Sequence, residues 1–139
     1  MKVNFEQKSE SIIVFVSDPF ESRPNHNKNK NENLKIGYEY NLDFFIKVSY
    51  AMNLHVSTVN GGDLIINNVT GFLGVYNISG TIKLTNAKGA AEARTINVNV
   101  EATYSSVSPG ESNFKTLNGD IKISYPESFP ADCQFKTFE

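Results

Sequence analysis

Two aspartates stand in like settings: Asp63 follows Gly61-Gly62, and Asp120 follows Asn118-Gly119. A pair of carboxylates on one surface can divide acid and base work or hold a hard cation. Both jobs require the pair to be close. About three coils of the surrounding repeat separate these two, roughly 14 Å at the spacing of neighbouring strands. The expectation is therefore that each is a turn residue bonding backbone nearby. The calcium-binding β-roll phrase Gly-Gly-x-Gly-x-Asp-x-apolar-x is not met either. In Gly61-Gly62-Asp63-Leu64-Ile65-Ile66, Leu64 replaces the third glycine and Ile66 the ligand aspartate.

Other chemistry-bearing residues are sparse. His26 and His55 are the two histidines. His26 lies in a polar loop with no ligand partner nearby, and His55, between Leu54 and Val56, is expected on the outward face of a strand. No Gly-x-Ser-x-Gly nucleophile turn or phosphate-cradling glycine loop occurs. Asn68-Val69-Thr70 and Asn77-Ile78-Ser79 match the glycosylation sequon, but they sit at repeat turns, and repetition explains both. The single cysteine, Cys133, cannot form an intramolecular disulfide and is expected to be a small buried hydrophobe. Tyr76, Tyr104 and Tyr125 are candidates for outward-facing aromatics of the kind that suit sugar or protein recognition. No catalytic, cofactor-binding or metal-binding residue is assigned.

The elements that would position these residues are legible as a repeat. Between Leu54 and Val100 the chain reads in rows of nine. Leu64, Leu73, Ile82 and Ala91 form one column, and Ile66, Val75, Leu84 and Ala93 the next. Asn68, Asn77, Asn86 and Thr95 follow, then Val69, Ile78, Ala87 and Ile96. Apolar residues two apart, with neighbours such as Ile65, Lys83 and Glu92 pointing the other way, have the period of a strand. Asn plus Gly then turns the chain. A hairpin meander could use such a unit, but a longer period favours a coil. Thr95-Ile96-Asn97, Thr116-Leu117-Asn118 and Thr137-Phe138-Glu139 recur at a spacing of 21, and Thr58-Val59-Asn60 and Asn77-Ile78-Ser79 extend the series upstream at 19 and 18. Two nine-residue sides per coil make a β-solenoid, in which each coil buries its inner face against its neighbours. Such stacking would bring Asn60 over Asn77 and Asn68 over Asn86 as side-chain amide ladders.

Outside the rows, Ser11–Ser17 is a β-branched and aromatic run that reads as a strand. Residues 21–33 are polar, low in complexity and expected to form a loop. Leu34–Tyr40 and Asp43–Tyr50 alternate and read as two further strands. Pro109-Gly110 and Pro126 to Pro130 break the pattern. The chain of 139 residues suffices for one domain: 1–50 supply N-terminal strands and the polar loop, 51–139 the coils, truncated at the C-terminus. The formal net charge of −2 and the scattered Lys and Arg argue against a nucleic-acid partner. No run of about 18 apolar residues is present to span a membrane.

The run from Phe45 to Ile66, with its Thr58-Val59-Asn60-Gly61-Gly62-Asp63 turn, resembles the adhesin-like families of domains of unknown function (the DUF4097 and DUF2807 type) abundant in Bacteroidetes. Their phrase of an apolar strand, a Thr-x-Asn-Gly-Asp turn and another strand returns as Thr116-Leu117-Asn118-Gly119-Asp120-Ile121-Lys122-Ile123. Tyr125-Pro126-Glu127-Ser128-Phe129-Pro130-Ala131-Asp132 looks like the family's Leu-Pro segment, and Phe135–Glu139 like a further phrase cut short. The likeness covers residues 34–139. It implies a right-handed parallel β-helix-like solenoid, exported to the periplasm or cell surface, with the export signal trimmed from this chain.

The expected fold is thus all-β, a single-stranded parallel solenoid with coils of 18–21 residues and N-terminal strands capping one end. The expected role is a non-enzymatic adhesin or envelope scaffold that meets a protein or glycan ligand, needs no cofactor and can self-associate through open solenoid ends. A carbohydrate-active β-helix enzyme and an envelope-sensing β-sandwich are the alternatives. The first would need clustered carboxylates, the second hairpin pairing between Leu64-Ile66 and Leu84.

Overall fold

The computed structural model describes residues 2–8, 11–17, 43–59, 62–106, 110–128 and 130–137. The polar loop with His26, the strand expected over Leu34–Tyr40, and Asn60 lie outside the described residues. The chain divides into two compact units, Met1–Asp43 and Phe44–Glu139. In the first, β1 (Lys2–Lys8) pairs antiparallel with β2 (Ser11–Ser17), Lys2 opposite Ser17 and Lys8 opposite Ser11. β2 is the strand expected from its β-branched run. β1, with only Val3 and Phe5 as strand-favouring side chains, gives little signal in the sequence.

The second unit is a β-solenoid of about four turns, and every strand pair among its described residues is parallel. Eight strands alternate between two sheets. β3 (Leu54–Thr58), β5 (Leu73–Asn77), β7 (Ala91–Thr95) and β9 (Asn113–Lys115) stack in one; β4 (Leu64–Asn67), β6 (Ile82–Ala87), β8 (Val100–Tyr104) and β10 (Ile121–Ser124) stack in the other. The register gives the coil length. Leu54 pairs with Leu73, Leu64 with Ile82, Leu73 with Ala91 and Ile82 with Val100; Glu92 then pairs with Asn113 and Val100 with Ile121. These offsets are 19, 18, 18, 18, 21 and 21 residues. Leu64 and Leu84 lie in parallel neighbours, so hairpin pairing, and with it the antiparallel sandwich, is excluded.

The inward columns make the core. Leu73, Val75, Ile82, Leu84, Ala91, Ala93, Val100 and Ala102 are each at most 1% exposed. Burying a side chain of the Val, Leu or Ile size is worth about 1.5–3 kcal/mol. Strand alternation delivers two such residues per strand at no cost in backbone bonding, because the next coil supplies every ladder partner. The third coil is lined by small residues, Ala91, Ala93 and Ala102. Tyr104 belongs to the buried cluster, and Phe114 and Tyr125 pack against it from the fourth coil. Bulk is thus redistributed between coils rather than repeated.

One expected strand does not form. Asp43–Tyr50 alternates in sequence but is irregular, turning at Tyr50-Ala51. Phe45 is 96% exposed, and Phe44, Ile46, Val48 and Tyr50 are exposed too. Alternation makes a strand only where a neighbouring chain offers ladder partners, and among the described residues none pairs with this segment. It joins the first coil through the Tyr50 carbonyl, which accepts from the Thr70 backbone N–H at 2.7 Å and from Thr70 Oγ1 at 3.0 Å.

Candidate functional site

Each coil has two corners, and in the first two coils the repeat reaches both with the same phrase, Asn or Thr and then an aliphatic residue. After β8 and β10 the chain reads Tyr104-Ser105 and Ser124-Tyr125 instead. At the corner after β4 and β6, Asn68 and Asn86 adopt left-handed backbone, with φ of 60° and 56°. Asn accepts this conformation more readily than other residues with a side chain. The flip ends the strand alternation one residue early. It sends the amide outward and the next residue inward, so Val69 and Ala87 are buried. Of the two expected ladders one forms, with Asn86 Nδ2 donating to Asn68 Oδ1 at 2.5 Å. The other does not, because the 19-residue first offset sets Thr58, not Asn60, opposite Asn77.

The corner after β5 and β7 keeps the alternation. Asn77 and Thr95 close their strands facing inward, 3% and 7% exposed. Asn77 Nδ2 donates to the carbonyls of Gly80, at 2.6 Å, and of Gly62 in the coil before, at 3.2 Å. The amide nitrogen of this sequon is thus engaged inside the coil. Thr116 Oγ1 donates to the Val98 carbonyl at 3.1 Å. Among the described residues, Thr95 Oγ1 finds no hydrogen-bond partner.

Because alternation persists there, the following aliphatic residue faces solvent on every coil. Val59, Ile78, Ile96 and Leu117 are 58%, 38%, 41% and 75% exposed. They follow residues in register: Thr58 pairs with Asn77, Asn77 with Thr95, and Arg94 with Lys115 one position before Thr116. They therefore form one aliphatic ladder with rungs about 4.8 Å apart. Beside it runs the outward strand column Ser57, Tyr76, Arg94 and Lys115, with Arg94 ion-paired to Glu92. On the other flank Asn118 Nδ2 donates to Asn97 Oδ1 at 2.9 Å, a second amide ladder step. The three upper rungs, Tyr76, Arg94 and the buried Thr95 line a shallow depression of about 270 Å³.

Among the described residues, those singled out for chemistry are not gathered here or elsewhere. Asp63 and Asp120 precede β4 and β10, the two outermost strands of their sheet. Asp63 Oδ1 accepts the Thr81 backbone N–H of the next coil at 2.8 Å, and the Asp120 N–H donates to Asn99 Oδ1 at 2.8 Å. These are links between coils, one step longer in reach than the local turn bonds expected. His55 faces outward as expected, its ring 5.8 Å from that of Phe72 and over Gly74, where a Cβ would lie 2.6 Å from the His55 Nδ1. Among the described residues no three of His, Cys, Asp and Glu converge on a metal-sized site.

Three expectations about individual residues are corrected. Tyr104 is buried rather than outward: it closes β8, stacks on Tyr125 with centroids 4.7 Å apart, and its hydroxyl lies 3.1 Å from Ser112 Oγ. Burial pushes the Tyr104 phenol above its ordinary range, against a smaller downward pull from the Ser112 bond. Tyr125 is half-buried and its phenol is likewise raised, by burial first and by the neighbouring Cys133 second. Cys133 itself is exposed, because the segment after Ser124 joins neither sheet. Tyr76 is outward as expected. The aliphatic ladder is the feature that reading the repeat as nine-residue rows concealed. Val69 and Ile78 share a column in the rows but face opposite ways in the coil, and the signal that separates them is the 18-residue period.

No family model, curated protein or solved structure matches the chain.

Proposed function

We propose that the protein is a non-enzymatic, extracytoplasmic adhesion or scaffold module that docks through the corner formed by Val59, Ile78, Ile96 and Leu117. The carrying observation is the exposure of four aliphatic side chains in one unbroken column. Single exposed apolar residues are ordinary, whereas a contiguous row flanked by polar residues marks an interaction surface. Solenoid stability does not require this column to be apolar, since the opposite corner places amides in the equivalent outward position. Binding is favoured over catalysis because the two carboxylates in like settings stand on opposite outermost strands and Asp63 is engaged in joining coils. The extracytoplasmic setting rests on the resemblance to exported repeat domains.

The test has two parts. Fractionating cells that produce the full natural protein should place it outside the cytoplasm; recovery from the cytosol overturns the location. Beads coated with the protein should be retained on protein-coated or glycan-coated surfaces, and beads carrying Ile78→Glu with Ile96→Glu should not. Equal retention of both would move the docking surface elsewhere, and failure of the native protein on every surface would end the adhesion reading.

A further inference from the structure

The ladder is also a ruler, and its pitch restricts what can lie along it. Its four rungs are spaced by the stacking of parallel strands, about 4.8 Å. An extended strand laid along the axis presents same-face side chains about every 6.6–6.8 Å, out of phase by the second rung. A helix presents a row at about 5.4 Å per turn, nearly 2 Å out by the fourth rung. A surface that keeps step over the whole column is another stack of parallel strands.

This chain carries such a stack, and its other exposed columns are unsuited to an apolar contact. The outward positions of the second sheet hold Ile65, Lys83, Glu101 and Lys122, with Lys83 and Glu101 3.9 Å apart as an ion pair. Only the corner ladder is aliphatic on all four coils among the described residues.

We infer that the occupant of the ladder is a second copy of this chain, docked antiparallel about a two-fold axis that crosses the ladder between Ile78 and Ile96. This rests on the docking reading above and names the partner. The axis sets Ile78 against Ile96 of the second copy, and Val59 against Leu117, so every rung is filled and the contact is closed rather than propagating. It also brings the flanking column against itself in reverse order. Tyr76 then meets Arg94 of the other copy, twice per dimer, a cation on an aromatic face. Ser57 meets Lys115, so no like charges are opposed. Turning the second copy to run parallel would give up both Tyr76–Arg94 contacts. The area covered by four aliphatic side chains and their flanks falls short of the roughly 800 Å² per partner of a standard interface. The dimer is therefore weak and concentration-dependent, a contact that tethering many copies to one surface would strengthen.

The test is sedimentation equilibrium of the full chain from about 10 to 500 μM, with circular dichroism confirming that each variant folds. The native protein should dimerise with concentration. Ile78→Glu and Ile96→Lys should each weaken dimerisation by about tenfold or more. An equimolar mixture of the two variants should regain dimer, because antiparallel docking places the new glutamate opposite the new lysine and leaves an Ile78–Ile96 contact intact. A native protein monomeric at every concentration overturns the inference. So does a dimer indifferent to both substitutions, or one that the mixture fails to restore. If the native protein is monomeric yet its coated beads lose retention on substituting both isoleucines, the docking reading stands and the second-copy occupant falls.

Discussion

The first two coils carry the same phrase at both corners and treat it in opposite ways. After β4 and β6, left-handed Asn68 and Asn86 turn their amides out and send Val69 and Ala87 into the core. After β5 and β7, Asn77 and Thr95 stay in strand conformation, turn inward, and leave Ile78 and Ile96 in solvent. One backbone torsion per corner decides whether an aliphatic residue becomes core or surface. A repeat whose rows look alike can thus build one corner that feeds the core and one that exposes an aliphatic ladder.

Substitutions should separate the corners by size of effect. The largest loss is expected where the aliphatic corner turns. Gly80 has φ of 134°, and a Cβ there would sit 2.2 Å from the Gly62 carbonyl oxygen of the preceding coil. Gly80→Ala should cost about 2–4 kcal/mol in urea unfolding, since both the torsion and the backbone contact resist it; a loss near zero would mean the coils need not stack so closely.

Next comes the direct contrast between column mates. Val69→Ala, in the core, should cost about 2 kcal/mol. Ile78→Ala deletes more carbon but from the surface, and should cost less than about 1 kcal/mol. Equal losses would erase the distinction between the corners.

The torsion itself can be probed at Asn86. Asn86→Ala should cost about 1–2 kcal/mol, by straining the left-handed backbone and breaking the amide ladder. Asn86→Gly, which restores backbone freedom, should recover more than half of that loss. If Gly is no better than Ala, the ladder bond rather than the torsion holds the corner.

The smallest effect is expected at Thr95, whose buried hydroxyl has no hydrogen-bond partner among the described residues. Thr95→Val keeps the shape and removes an unsatisfied group, so stability should stay within about 0.5 kcal/mol of native or rise. A loss above about 1 kcal/mol would show that the hydroxyl is engaged under the groove.

Much of this molecule is legible in its residues because a solenoid is a local repeat. Inward columns, turn glycines and the 18- to 21-residue period all follow from short-range spacing, and the observed register reproduces them from Leu54 to Ile121. The misreadings fall where the repeat does not govern. Asp43–Tyr50 has the alternation of a strand without a neighbour to pair with. Tyr104 is a candidate surface aromatic by type, but the small residues of its own coil make room for a ring in the core.

What the sequence alone determined is the period and the identity of the stacked residues: Asn68 over Asn86, Leu73 over Ala91, Ile82 over Val100. Those depend only on counting. Which side of the wall each column faces past a strand end was decided by tertiary structure. The left-handed turn at Asn86 and the strand ending at Asn77 are chosen by the hydrogen bonds that the adjoining coil supplies, and no nine-residue row contains that coil. The aliphatic ladder, the surface on which the proposed function rests, exists because of that choice.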